Sequence, residues 1–230
     1  MRSKFDEQLA ELNREMIEMG RMIVQSITMA IEALTDKDEK RAKSIMEGDV
    51  EVDHEQKKIE TICFNLLIQQ QPVARDLRTV TAAMKMVTDM ERIGDHAADI
   101  SEITIFMGKN SHIGKLKHIR KMASETVLML NHSIEAYVER DQEKAKEVIE
   151  HDDIVDSLFD DVKQDIIRLI QKNPEDGEEA TDLLMVAKYF ERIGDHATNI
   201  AEWVLYSLKK SEDYYSKKGR LRNFHKKGTI

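Results

Sequence analysis

Acidic residues recur in pairs four positions apart: Asp49 with Asp53, Glu91 with Asp95, Asp152 with Asp156 and Glu191 with Asp195. On a helix, residues four apart are rotated by about 40° and raised by about 6 Å, so each pair leaves one face as neighbours. Like charges so placed repel, and something must compensate them. Hard oxygen donors gathered this way suit Mg²⁺, Ca²⁺, Mn²⁺ or iron, and the lack of nearby cysteine disfavours a structural zinc site. The other source of compensation is the protein's own charge, with Arg92, Arg192, Lys57 or Lys58 pairing on a solvated face for small energetic return. Arg92 follows Glu91 by one position, so it is expected to point about 100° away from its own pair.

Two of these pairs lie in a repeated hexapeptide. Glu-Arg-Ile-Gly-Asp-His spans residues 91–96 and recurs at 191–196, an offset of 100. Such identity argues for an internal duplication. The remaining pairs precede two prolines at matched distances. Asp53 stands 19 residues before Pro72 and Glu91 stands 19 after it; Asp156 stands 18 before Pro174 and Glu191 stands 17 after it. In an antiparallel hairpin bent at the proline, the two pairs of each half share one height, giving four carboxylates on adjacent helices. His96 and His196 follow the aspartates by one residue and face elsewhere, which suits structural or intersubunit hydrogen bonds better than ligation. Glu51-Val-Asp-His54 is a lone Glu-x-x-His, and its counterpart at Ile154 to Ser157 lacks both residues. A ferritin-like di-iron oxidase needs two such motifs lining an enclosed core, so that enzyme reading is weak. Neither a glycine-rich phosphate loop nor a nucleophile beside a base is present.

Long helices must position these groups. Prolines number only two, glycines nine, and aromatics make up 5% of the chain, a composition that favours an all-α fold. Apolar residues at three- and four-residue steps mark six helices. The first carries Leu9, Leu12, Met16, Met19, Ile23, Ile27, Ala30 and Leu34; the second runs from Ala42 to Leu66 with Gly48 as a possible kink; the third holds Leu77 to Ile103. Thr35-Asp36-Lys37-Asp38 ends the first and caps the second. Leu116 to Ile134, Ala145 to Leu169 and Leu183 to Leu208 repeat the pattern, with Ile154 assigned to the apolar side of the fifth helix. The expected architecture is two pseudo-symmetric antiparallel three-helix bundles, residues 1–109 and 114–208, joined by a linker at 108–114. Gly94 and Gly194 lie inside helices, where glycine costs about 1 kcal/mol relative to alanine, so both imply close helix approach.

Charge and compartment narrow the function. Cys63 is the only cysteine and sits in an apolar run, which fits a reducing cytoplasm. The start of the chain lacks an apolar signal core, and no stretch approaches the roughly 20 apolar residues of a membrane span. Residues 209–230 carry net +6 in a chain of net −9, which leaves the body at −15. An acidic body argues against a DNA-binding repressor, since such binding runs on phosphate neutralisation by Lys and Arg. The basic tail suits a solubilising end, or contact with nucleic acid, anionic lipid or the acidic body.

Together these features resemble the PhoU family, accessory regulators of bacterial phosphate-specific transport. The resemblance rests on the two three-helix halves, on Gln71-Pro72-Val73-Ala74-Arg75-Asp76-Leu77-Arg78, on the repeated hexapeptide followed by Ala97 and Ala197, and on the acidic motifs Asp49-x-x-x-Asp53 and Asp152-x-x-x-Asp156. It covers the chain to about residue 208. It implies a cytoplasmic, usually homodimeric, non-enzymatic regulator linking the ATPase subunit of a phosphate ABC transporter to a sensor histidine kinase, and repressing the starvation response when phosphate is plentiful. It also implies multinuclear iron or zinc clusters in some members at Asp49, Asp53, Glu91, Asp95, Asp99, Asp152, Asp156, Glu191 and Asp195; Mn, Mg and Ca are compatible with the same donors. Asn199 stands where the first repeat has Asp99, so the two faces need not be equivalent. Phosphate itself is an anion that a bare acidic face repels.

Overall fold

The computed structural model describes residues 2–70, 72, 74–107 and 117–209. Six α-helices account for nearly all of them: α1 (Arg2–Asp36), α2 (Glu39–Gln70), α3 (Ala74–Met107), α4 (Lys117–Glu139), α5 (Gln142–Lys172) and α6 (Gly177–Leu208), with a 3₁₀ turn at Pro174–Asp176 before α6. The order α1-α2-α3 recurs as α4-α5-α6, and each triplet closes into a bundle. The all-α, two-bundle architecture read from the periodicity is the one observed. The expected linker at 108–114, the boundaries at 109 and 114, and Leu116 lie outside the described residues, as does all of the tail beyond Lys209.

The first joint of each bundle is built the same way. Lys37 (φ 57°) and Arg140 (φ 56°) take the left-handed conformation that ends a helix. An aspartate then caps the next helix. Asp38 Oδ1 accepts from the amides of Lys40 and Arg41, and Asp141 Oδ1 accepts from those of Glu143 and Lys144. These bonds satisfy amides that have no partner inside the helix. At the second joint of the second half, Asn173 accepts from the Glu175 amide and Pro174 opens the 3₁₀ turn.

The apolar stripes become the core. Leu12, Met16, Met19, Ile23 and Ile27 of α1 are fully buried, as are Val87, Met90, Ile93, Ala97 and Ile100 of α3 and Phe190, Ile193, Ala197 and Ile200 of α6. Two residues depart from the expected pattern. Leu77 and Ile154 are each 43% exposed, and Val155 takes the inward place on α5. The stripe on α5 is set by Val148, Val155, Leu158 and Val162, and Ile154 stands about 100° off that line. Gly48 has open space around it, and α2 runs unbroken past it.

The two bundles share one interior. α3 packs along α6 and α1 along α4, while α2 and α5 lie against the helices of their own halves. The α3–α6 pair is antiparallel. Asp89 meets His196, His96 meets Tyr189, and Arg78 meets Lys209, so numbers rise on one helix as they fall on the other. On α1, an ideal Cβ on Gly20 would stand 2.9 Å from Ile134 Cγ2 of α4, so no larger residue fits there without moving Ile134.

Candidate metal-binding faces

The glycine inside each hexapeptide sets the approach of the acidic helices. An ideal Cβ on Gly94 would lie 3.1 Å from Val52 Cγ1 and 3.2 Å from Asp49 Oδ1. On Gly194 it would lie 3.4 Å from Asp152 Oδ1 and 3.5 Å from Val155 Cγ1. Because glycine has no side chain, the α2 carboxylate drops against the α3 backbone, and Asp152 does the same on α6. The equal heights expected from the proline spacing are therefore realised in both halves.

Charge repulsion follows. Burial, then Asp95, Asp53 and Asp99, pushes the Asp49 carboxyl up to about 6. Burial, then Asp156, Asp195, Asp153 and Glu191, pushes Asp152 up to about 6. Glu91 is raised by burial and by Asp95; Asp156 and Asp195 are raised by burial and by Glu191. Each cause disfavours a charged carboxylate. Asp53 and Asp95 act as neighbours of Asp49, and Glu191 as a neighbour of the second group.

Internal cations supply part of the compensation, and here one expectation is corrected. Arg92 does reach its own pair: its Nη1 is 3.1 Å from Asp95 Oδ2 and its Nε 3.6 Å from Glu91 Oε2. The one-residue offset turns its Cα away, but the long side chain curls back over the surface, where Arg92 is 56% exposed. Arg192 does not repeat the pattern; its guanidinium lies 6.0 Å from the Tyr189 ring. Lys188 instead pairs with Glu191, and it also lies 5.4 Å from the Phe159 ring. Lys58 serves Glu15 and Glu55. Thr88 stands at the position of Lys188 in the first repeat, so the two faces are neutralised differently.

Sequence reasoning missed Lys188, Asp153 and Asp160. The last two act on Asp156. Asp160 continues the four-residue spacing from Asp156, a signal that was available. As the side chains stand, no three His, Cys, Asp or Glu among the described residues are gathered around a single ion position. The donor set remains one of hard oxygens, with the glycine-made recess holding Asp49 or Asp152 at its base, which fits a hard cation bound across two helices.

The histidines belong to the interface between bundles. His196 Nδ1 is 2.9 Å from Asp89 Oδ1, and Asn199 Nδ2 donates to that same oxygen at 3.0 Å. His96 is nearly buried, with Nδ1 3.2 Å from Asp99 Oδ2 and its ring 5.3 Å from Tyr189 and 5.8 Å from His196. Asp99 therefore divides between the acidic face, where it raises Asp49, and the interface. Structural hydrogen bonding of the histidines was expected; it occurs within one chain. Glu51 and His54 are exposed, so the lone Glu-x-x-His lines no core.

A PhoU domain model matches residues 16–104 and again 119–204, one copy per bundle. The chain belongs to the PhoU family. Among its relatives, the phosphate-specific transport system accessory protein PhoU homolog of Clostridium acetobutylicum is 38% identical over 208 residues, covering 90% of this chain and 95% of that protein. The homolog from a Burkholderia species is 30% identical over 210 residues, covering 90% and 89% respectively. In three dimensions the chain is similar to the crystal structure of PhoU from Pseudomonas aeruginosa (TM-score 0.83, 26% identity, 89% of this chain and 98% of that one). It is also similar to the phosphate transport system regulatory protein PhoU from Streptococcus pneumoniae (TM-score 0.80, 27% identity, 88% and 96%). Each PhoU repeat contains one complete acidic group: Asp49, Asp53, Glu91, Asp95 and Asp99 in the first, and Asp152, Asp156, Glu191 and Asp195 in the second. No helix among the described residues is long and apolar enough to cross a membrane.

Proposed function

We propose that this chain is a non-enzymatic regulator of phosphate uptake and phosphate-starvation signalling, an adaptor between the ATPase subunit of a phosphate ABC transporter and a sensor histidine kinase. Membership of a family whose named members are phosphate transport accessory proteins carries this reading. In it the protein is a cytoplasmic homodimer that meets the membrane only through its partners. The absence of a nucleophile–base pair in the sequence supports a role in binding rather than turnover.

Asp49, Asp53, Glu91, Asp95 and Asp99 hold metal on the first face, and Asp152, Asp156, Glu191 and Asp195 on the second. What supports this is the burial of these carboxyls together with the repulsion that Arg92 and Lys188 leave in place: Asp49 and Asp152 remain at about 6 beside them. A bound cation, iron or zinc or one of Mn, Mg and Ca, supplies positive charge that relieves it and offers coordination positions to a partner's acidic or phosphorylated group. The protein's part is to hold the α2–α3 and α5–α6 carboxylates at one height, with Arg92 and Lys188 as the counter-charges that a metal would replace.

Two measurements test the proposal. Untagged protein is expected to retain transporter ATPase in a pull-down, and failure to retain either the ATPase or the kinase overturns the adaptor role. Elemental analysis is expected to find metal that falls when Glu91 and Asp95 are both changed to Lys; unchanged content overturns the first site. Oxidase activity with an optical charge-transfer band would instead identify a di-iron enzyme, and salt-sensitive retardation of promoter DNA a repressor. Tight phosphate binding by metal-stripped protein would show direct sensing.

A further inference from the structure

Helix α2 buries one side and carries an apolar stripe on the other. Val52, Ile59, Cys63 and Leu66 face inward, where α2 lies against α1 and α3, and none of the four is more than 2% exposed. On the opposite side Met46, Val50, Phe64 and Ile68 stand out, with Phe64 53% and Ile68 75% exposed. At about 100° per residue these four and Lys57 fall within a sector of about 40°, and Met46 to Ile68 spans about 33 Å. Apolar residues scattered singly over a surface need no explanation, but a line of them along one helix does.

The stripe has the same pattern in both directions. Lys57 stands seven residues from Val50 and seven from Phe64, and eleven from Met46 and eleven from Ile68. A second copy laid antiparallel, with a two-fold axis at Lys57, therefore sets Val50 on Phe64 and Met46 on Ile68 at both ends, the self-complementary pattern that a two-fold contact requires. In the same register His54 meets Glu60. The two Lys57 side chains meet at the axis, and each lies about one helical turn from Asp53 and Glu60 of the other copy, which offset their repulsion. The duplicated helix lacks this symmetry. In the register that matches Asp49 with Asp152, α5 has Asp153 for Val50, Asp160 for Lys57 and Gln171 for Ile68. Two α5 helices paired in the same way set Asp160 on Asp160 and Asp153 on Ile167; α2 paired with α5 sets Phe64 on Asp153.

We infer that, within the homodimer proposed above and resting on that reading, two copies of this chain meet through antiparallel α2 helices with the two-fold axis at Lys57. One helix pair of this length covers less than the roughly 1,600 Å² of a standard interface, so the dimer dissociates on dilution. Asp53 also belongs to the first acidic face, and Lys57 of the other copy gives it a counter-charge, which ties assembly to that face.

Sedimentation of the full chain across a dilution series tests the pairing. Val50→Glu with Phe64→Glu is expected to weaken dimerisation at least about tenfold, because each carboxylate then faces another across the axis. Val50→Glu with Phe64→Lys sets opposite charges on each other and is expected to recover part of that loss; a variant as weak as the double glutamate overturns the antiparallel register. Both positions are exposed, so far-UV circular dichroism is expected to be unchanged. Lys57→Cys protein is expected to form a disulfide-linked dimer on mild oxidation, and Asp160→Cys protein to form none. Cys63 does not compete, being buried with its thiol pushed up to about 12. A parent dimer that neither crosslinks at position 57 nor responds to the glutamates overturns the α2 interface and leaves the homodimer standing. A parent chain that is monomeric at every concentration overturns both.

Discussion

His196 of α6 and Asp89 of α3 meet across the two bundles, Nδ1 to Oδ1 at 2.9 Å, and the pseudo-symmetric counterpart of that contact is the packing of His96 on Tyr189. Across the bundles the duplicated histidine thus makes a polar contact in one copy and packs on a tyrosine ring in the other, while His96 takes its polar partner, Asp99, from its own helix. The difference arises because position 89 is Asp and position 189 is Tyr.

Replacing Asp89 with Ala leaves His196 and Asn199 without their shared acceptor in a half-buried interface. Such a loss costs about 1–3 kcal/mol. Urea unfolding is expected to show the midpoint falling accordingly, and Tyr189→Ala is expected to weaken the same interface through lost packing. An Asp89→Ala protein as stable as the parent would mean that the contact contributes nothing.

The two hexapeptide glycines are expected to respond differently to alanine. At Gly194 the nearest atoms lie at ordinary contact distance, so Gly194→Ala gains about 0.5–1 kcal/mol of helix propensity. At Gly94 the new methyl stands 3.1 Å from a buried valine and 3.2 Å from Asp49, and overpacking of about 1–3 kcal/mol outweighs that gain. Thermal unfolding of the two variants side by side checks the order.

Metal-free protein is expected to lose stability as pH rises from about 4 to about 6. In the folded chain Asp49 and Asp152 hold their protons up to about 6, whereas unfolded aspartates release theirs near 3.9. The folded state therefore binds more protons in that window, and stability falls with rising pH. His96, lowered chiefly by burial, acts in the opposite direction between its folded value and 6.5. Asp49→Asn with Asp152→Asn isolates the aspartates: its unfolding midpoint is expected to be flatter with pH than the parent's across pH 4–6.

Lys188→Thr gives the second repeat the residue that the first carries at Thr88. With the Glu191 counter-charge gone, Mn²⁺ titrated onto the second face is expected to bind several-fold more tightly, since one nearby charge in a partly exposed site is worth about 1 kcal/mol. Paramagnetic broadening around Val155 reports that face separately from the signals around Val52. Equal affinity in both proteins would remove Lys188 as a competitor.

The two capping aspartates are expected to be equivalent. Asp38→Ala and Asp141→Ala each remove two amide contacts at the start of a long helix and cost about 1 kcal/mol. Differential scanning calorimetry of each single variant measures this.

Sequence by itself determined the helices, the duplication and the shared height of the carboxylates. Those follow from periodicity and from counting to a proline, because helix rise per residue is constant and a sharp bend fixes the register of the hairpin. The stripe of Met90, Ile93, Ala97 and Ile100 and the Asp38 cap were legible for the same reason: their partners are near in sequence. Only the tertiary structure decided that Arg92 bends back onto Glu91 and Asp95, that Lys188 serves Glu191, and that Asp89 rather than another subunit meets His196. Side-chain rotamers and long-range packing set those contacts, and neither has a period to read. The faces were a matter of spacing along a helix; their counter-charges depended on which flexible side chains found them in three dimensions.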